Sequence, residues 1–294
     1  MNWGNHYDMD SHNEPGACKK SSNLLEFDPR CKGDDDNARD HSCPGLYDHS
    51  ICLDNFPPAK APPNTKGGKC LIYDFGIREQ PEFGVTMANH FGCEVHAFDP
   101  SPVSTEFAKK SLADGTVKNY HFHPYGAGGR DGNVELFEYD WGQVSILNFA
   151  RHVDLKKCLD TKDCGHVNPP HKSFSLPVKT LPTIMKELGH THIDVIKLDV
   201  EGSEYVFLEQ MLDTYGCPPC DQLTLEWHHF TFDQRYGSGS SPSINAISTV
   251  LRSCGFKQFF HYTAGGWPSA EYQYTFMGMH NVRYNSVSFI KQKY

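Results

Sequence analysis

The residues able to do chemistry in this sequence stand where short apolar runs end. Asp74 closes CLIYDF, Asp99 follows EVHAF, Asp199 and Glu201 follow IDVIKL, and Glu226 and His228 lie at the end of QLTLEW. Carboxylates and an imidazole gathered in one place can take a proton from a substrate hydroxyl, provided geometry brings them within reach. His228 has the ordinary pKa range for that task. Glu226 sits inside an apolar run and needs a partner if buried, which is a reason to place it in a site. Asp199, Glu201, Glu226 and His228 are thus the catalytic candidates. The same groups could ligate a divalent ion, but no tight ligand spacing marks a metal site and none is assigned. Glu204 reads differently, as an acidic residue favoured in the first turn of a helix.

The elements that must position these groups follow from periodicity. Ile193, Val195, Ile196 and Leu198 form a run typical of a central parallel strand buried on both faces. Strands are predicted at 70–75, 94–98, 119–124, 134–139, 193–199 and 222–227, with closing strands at 256–262 and about 284–290. Helices are predicted at 81–91, 102–113, 180–188, 205–215 and 244–254, the second capped by Ser101 with Pro102 in its first turn. This alternation is that of an α/β fold with right-handed crossovers. The strand at 134–139 reads as an edge hairpin, and 141–175, beginning at Asp140-Trp141, as a lid or acceptor-shaping segment.

Residues 1–66 are rich in Asp, Asn, Gly, Pro and Cys, and read as an irregular extension ending in the linker PPAKAPPNTKGG, with the main domain at 67–294. The net charge of −9 argues against nucleic acid, which calls for a basic face. The polar start MNWGNHYDMD does not read as a signal peptide, and no apolar run is long enough to span a bilayer, so the chain as written reads as soluble and as a processed or partial form. Eleven cysteines are many. Cys18, Cys31, Cys43 and Cys52 suggest staples in an oxidising compartment, and Cys158 with Cys164, or Cys217 with Cys220, could close small loops. The absence of an N-x-S/T sequon points the other way, so cytoplasm and secretory lumen both stay open. CPPC without a second pair does not make a zinc site. It follows a helix rather than opening one, so it also lacks the usual device for a reactive thiol.

Asp99 carries the strongest ligand signal. A carboxylate ending the second strand of such a sheet can accept hydrogen bonds from both hydroxyls of a ribose, and it follows Gly76 at roughly the 20-residue offset expected for that role. The three-glycine pyrophosphate fingerprint is missing, which disfavours a hydride-transferring dinucleotide enzyme. A ribose ligand without phosphates fits better, and S-adenosylmethionine is such a ligand.

LIYDFGI (71–77), GCEVHAFDPSP (92–102), LPVKTLPTIM (176–185), IDVIKLDVEGSEY (193–205) and LTLEWH (223–228), with ICLDNF (51–56) ahead of them, resemble the FkbM-type class I methyltransferases. Among these, they are closest to animal methyltransferase-like proteins with an FGI first-strand turn. The resemblance covers about residues 50–262. It implies a Rossmann-like seven-stranded, mostly parallel sheet of order 3-2-1-4-5-7-6, with helices on both faces, binding S-adenosylmethionine. It also implies that Asp74 and Gly76 contact the methionine part and Asp99 the ribose, with Phe75 and Pro100 beside them. Tyr125, Gly126 and Ala127 would lie near the adenine, and Asp199 and Glu201 would face the methyl donor or acceptor. The sequence departs from the family at Arg78, where small residues usually follow. The expected activity is O-methylation of a small-molecule or glycan hydroxyl. The alternative is a non-catalytic Rossmann-like module for cofactor binding or interaction, favoured by Arg78 and the missing glycines and opposed by Asp99 and DVEGSE.

Overall fold

A computed structural model of the chain describes residues 17–18, 49–52, 70–111, 117–138, 144–145, 172–228, 242–265 and 282–292. The main sheet is built from β1 (Leu71–Phe75), β2 (Glu94–Phe98), β3 (Tyr120–His123), β8 (Ile193–Leu198), β9 (Cys220–His228), β10 (Phe256–Gly265) and β11 (Val282–Lys291). Its order is β10-β11-β9-β8-β1-β2-β3. Strands from β9 to β3 run parallel, and β11 lies antiparallel between β9 and β10. In strand numbers of the main sheet this is the expected 3-2-1-4-5-7-6 order, the Rossmann-like arrangement.

Helices cover both faces because the strands bury apolar side chains on each. On one face, Ile72, Val95 and Val195 pack against Phe83, Met87 and Ala88 of α1 (Glu82–Phe91) and against Ile51. On the other, Tyr73, Phe75, Phe98, Ile196, Leu198 and Leu225 meet α3 (Leu181–Leu188), α4 (Glu204–Tyr215) and α5 (Pro242–Ser253). The helix α2 (Pro102–Ser111) starts as the sequence predicts, with the Ser104 N–H donating to Ser101 Oγ at 3.3 Å.

A second, four-stranded sheet differs from the sequence expectation. It holds β4 (Gly126–Ala127), β5 (Gly132–Glu138), β6 (Val144–Ser145) and β7 (Lys172–Lys179) in the order β4-β7-β5-β6. The strand read as an edge hairpin is therefore β5, paired to β7 away from the main sheet. Part of the segment read as a lid is β7, whose Phe174, Leu176 and Val178 alternate with exposed Ser173, Ser175 and Pro177. Pro177 interrupts the β signal in sequence, since it donates no ladder hydrogen bond. Gly126 and Ala127 form the strand that pairs with Val178 and Lys179. Asp140, Trp141 and most of 141–171 lie outside the described residues.

Disulfides join Cys18 to Cys52, Cys70 to Cys93 and Cys217 to Cys254. The pairing of Cys217 with Cys220 is thereby corrected. Cys220 opens β9, is buried, and its thiol is pushed far up by that burial, so CPPC is neither a loop closure nor a redox pair. Cys158 with Cys164, and Cys31 and Cys43, lie outside the described residues. The described parts of the N-terminal extension are docked: Ala17 and Cys52 pack on Phe259 and Ile290, and the Cys52 N–H donates to Gln222 Oε1 at 2.8 Å. Among the described residues no helix is long and apolar enough to cross a membrane.

Removing the Cys217–Cys254 link by a Cys217→Ala/Cys254→Ala double variant is expected to lower stability by about 2–4 kcal/mol, read by urea denaturation. Equal midpoints for variant and parent would contradict that contribution.

Candidate functional site

The crevice is built where the carboxyl ends of β1, β2, β8 and β9 meet, because their crossovers leave the sheet there. Gly76 ends β1 with φ +81°, and a Cβ on it would stand 1.6 Å from the Asp199 carbonyl oxygen. Only glycine fits both that conformation and that approach. The Gly76 N–H donates to the Phe98 carbonyl at 2.9 Å and the Asp199 N–H to the Phe75 carbonyl at 3.1 Å, so three strand ends are tied together.

Asp99, 6% exposed, accepts from the Arg78 N–H on Oδ2 and the Ser101 N–H on Oδ1, both at 2.8 Å. Arg78 bends back at φ +44° to make this bond and its side chain is exposed, so its contribution to the described structure is a backbone donor. Pro100 borders Gly126, where a Cβ would meet the proline ring at 3.0 Å. Gly76, Asp99, Pro100 and Gly126 thus lie along one edge. Phe75 does not present its side chain there: it stacks on Phe98 at 4.5 Å and packs on Phe207 in the core. Asp74 is also withdrawn, fully buried beneath α1, with Gly84 close enough that a Cβ would reach its Oδ2 at 2.8 Å.

Asp74 is held there by Lys197, which the sequence reading passed over as part of an apolar run. Lys197 Nζ donates to the Gly76 carbonyl at 2.7 Å, and lies 3.4 Å from Asp74 Oδ1 and 3.9 Å from Asp199 Oδ2. Burial opposes its charge, but Asp74, Asp199 and Glu226 outweigh that and raise its pKa. Burial pushes the Asp74 carboxyl up while Lys197 draws it down. The available signal was a lysine inside a strand otherwise buried on both faces, which cannot remain charged without carboxylate partners.

His228 is the second cation. Its Nδ1–H donates to Glu204 Oε1 at 2.7 Å, and Nε2 faces Glu201 at 3.4 Å, Glu226 at 3.5 Å and Asp199 at 3.9 Å. Burial works against protonation, yet Glu204 and Glu201, then Glu226, hold the imidazole well above its usual range. All four catalytic candidates are therefore brought together, but His228 is a buried cation rather than an exposed base. Asp199 and Glu201 are the more open members, with side chains 29% and 22% exposed. Glu204 combines its expected place in the first turn of α4 with a fuller role. Its Oε1 also accepts the N–H groups of Val200 and Gly202 at 3.1 and 3.2 Å, fixing a turn in which Glu201 takes φ +51°. His49, from the N-terminal extension, closes the inner side, with Nδ1 3.2 Å from Thr224 Oγ1. Its ligand atom, with those of Asp199 and Glu226, falls within 4.8 Å, as do those of Asp199, Glu201 and His228.

A family model described as the methyltransferase FkbM domain matches residues 76–257, more than half of the chain. The probable methyltransferase-like protein 24 of Homo sapiens is 28% identical over 209 residues, which cover 70% of this chain and 45% of that protein. Its counterpart from Rattus norvegicus is 28% identical over 202 residues, covering 68% and 44%. The chain thus spans less than half the length of these curated relatives. A solved methyltransferase FkbM from Methylobacillus flagellatus KT aligns at 13% identity with a TM-score of 0.40, over 76% of this chain and 43% of that one.

Two outcomes follow from the buried charges. Lys197→Met strands Asp74 and is expected to cost about 3–5 kcal/mol, measured by chemical denaturation; a loss under 1 kcal/mol would show that the pair is not needed. Because the His228 pKa is raised on folding, its contribution is full below the unfolded value of 6.5 and is lost as pH rises through the folded pKa. Stability of the parent should fall on going alkaline, and His228→Asn should flatten that dependence. Parallel pH profiles for the two proteins would refute the assignment of charge.

Proposed function

The chain belongs to the methyltransferase FkbM domain family, and from that premise we propose that it moves a methyl group from S-adenosylmethionine to a hydroxyl of a small molecule or glycan. The observation that carries this reading is the joining of Gly76 and Asp99 at adjacent strand ends, through Gly76 N–H to Phe98 and Arg78 N–H to Asp99. The residues fit the cofactor: Gly76 makes the tight turn that ends β1 beside Asp199, and Asp99 presents a carboxylate at the position suited to ribose hydroxyls. Gly126 lies along the same edge on the adenine side, while Ala127 is buried in the core.

S-adenosylmethionine, when bound, supplies an electrophilic methyl group on a cationic sulfonium. Asp199 and Glu201, the open carboxylates, orient the acceptor hydroxyl and take its proton onto a carboxylate oxygen as the oxygen–methyl bond forms. His228 positions them: a buried imidazolium bonded to Glu204 has no free lone pair for that proton and serves by charge. Lys197 holds Asp199 and the Gly76 turn in register. Five carboxylates around two cations leave negative charge in excess, which favours a cationic ligand. The clustering of Asp199, Glu201 and His228 also supports a second reading, in which a divalent ion assists the acceptor. Three disulfides favour an oxidising compartment such as a secretory lumen.

Titration calorimetry with S-adenosylmethionine and S-adenosylhomocysteine is expected to show micromolar binding, lost in Asp99→Asn with the melting temperature kept within a few degrees. Asp199→Asn should retain that binding, while transfer of labelled methyl to a panel of sugars and hydroxylated small molecules falls on the order of a hundredfold. Transfer abolished by a chelator would favour the second reading. No binding to the folded parent would overturn the first and leave an interaction module.

A further inference from the structure

A second cluster lies at the other end of the sheet, and the proposed methyl transfer does not use it. Glu94 opens β2, His96 follows two residues later on the same strand, and His190 follows the α3 C-cap. Gly189 caps α3 in the left-handed conformation, and the His190 N–H donates to the Met185 carbonyl at 2.8 Å, so the cap fixes where His190 stands. The rings of His96 and His190 meet edge to face at 5.0 Å. One ligand atom from each of Glu94, His96 and His190 falls within a 4.8 Å set.

We propose that Glu94, His96 and His190 bind a zinc-type divalent transition-metal ion at the base of the sheet. The ligand types are those such ions take, two imidazoles and a carboxylate. His96 Nε2 and Glu94 Oε1 are 3.1 Å apart, a separation that suits neighbouring ligands on an ion about 2.0–2.2 Å from each. Each imidazole also has its other nitrogen engaged. His96 Nδ1 is 2.8 Å from His123 Nε2, and His190 Nδ1 is 2.7 Å from the Tyr73 hydroxyl. That is the arrangement in which a partner fixes ring orientation and tautomer and leaves one nitrogen for the metal. When the His96 proton sits on Nδ1 and is shared with His123, the Nε2 lone pair is left for a cation beside the Glu94 carboxylate.

His96 is buried, whereas the Glu94 side chain is 42% exposed and His190 is half-buried, so an ion can reach the set from solvent. The outer position is left to water. The site ties the start of β2 to the turn between α3 and β8, so its role is structural.

The test is calorimetric titration of the chelator-treated chain with zinc chloride, alongside thermal melts, with magnesium as the comparison ion. One zinc per chain at micromolar or tighter affinity is expected, with a rise of several degrees in melting temperature and no response to magnesium. Glu94→Gln and His190→Ala should each weaken binding on the order of a hundredfold, and Tyr73→Phe, which keeps the aromatic packing, by about tenfold. S-adenosylmethionine affinity should stay unchanged in Glu94→Gln. The sequence holds 17 histidines, so zinc bound equally by parent, Glu94→Gln and His190→Ala would place it elsewhere and overturn the proposal. So would the absence of zinc binding to the folded parent. If His190→Ala fails to fold, the surface change Glu94→Gln decides alone.

Discussion

Everything at the crevice depends on the ammonium group of Lys197. It is buried among groups from three strands, and its charge can persist there only because Asp74, Asp199 and Glu226 surround it. In return it fixes the Gly76 carbonyl at the end of β1. The turn after β1 can then bring the Arg78 N–H to Asp99, and the turn after β8 can offer Asp199 and Glu201. His228 repeats the device one strand further on, where Glu204 anchors it and three carboxylates lean toward its far nitrogen. The two cations turn a set of mutually repelling carboxylates into a defined surface.

Much of this architecture was legible in the sequence, for reasons that can be named. Apolar runs ending in acidic residues identified β1, β2 and β8 within a residue or two, since a strand buried on both faces admits few alternatives. Ser101 followed by Pro102 marked the start of α2 because each solves a local hydrogen-bonding problem of a helix N-terminus. The grouping of Asp199, Glu201, Glu226 and His228 followed from strand order alone, as all four sit at strand ends that parallel pairing makes neighbours.

What escaped was information held in three dimensions. Lys197 looks like an interruption until the carboxylates on adjacent strands are seen opposite it. The role of His228 changes sign for the same reason: its ordinary pKa suggests a base, and four nearby carboxylates make it a cation. Asp74 reads as a ligand residue by position, but the side-chain alternation of β1 turns it under α1. Pro177 concealed β7, and with it the second sheet. Cys217 found its partner in Cys254 across a helix rather than in the neighbouring Cys220, a choice that spacing along the chain does not reveal.

Two of the disulfides among the described residues share one end of the strand axis. Cys70 and Cys93 precede β1 and β2, and Cys217 and Cys254 precede β9 and β10, so both bonds clamp the floor of the sheet, opposite the crevice. These two bonds therefore stand apart from the crevice rim. Loops along the rim can be exchanged, lengthened or reshaped without disturbing the two bonds that keep the foundation closed. The geometry gives this chain a division of labour between a braced floor and an adaptable mouth.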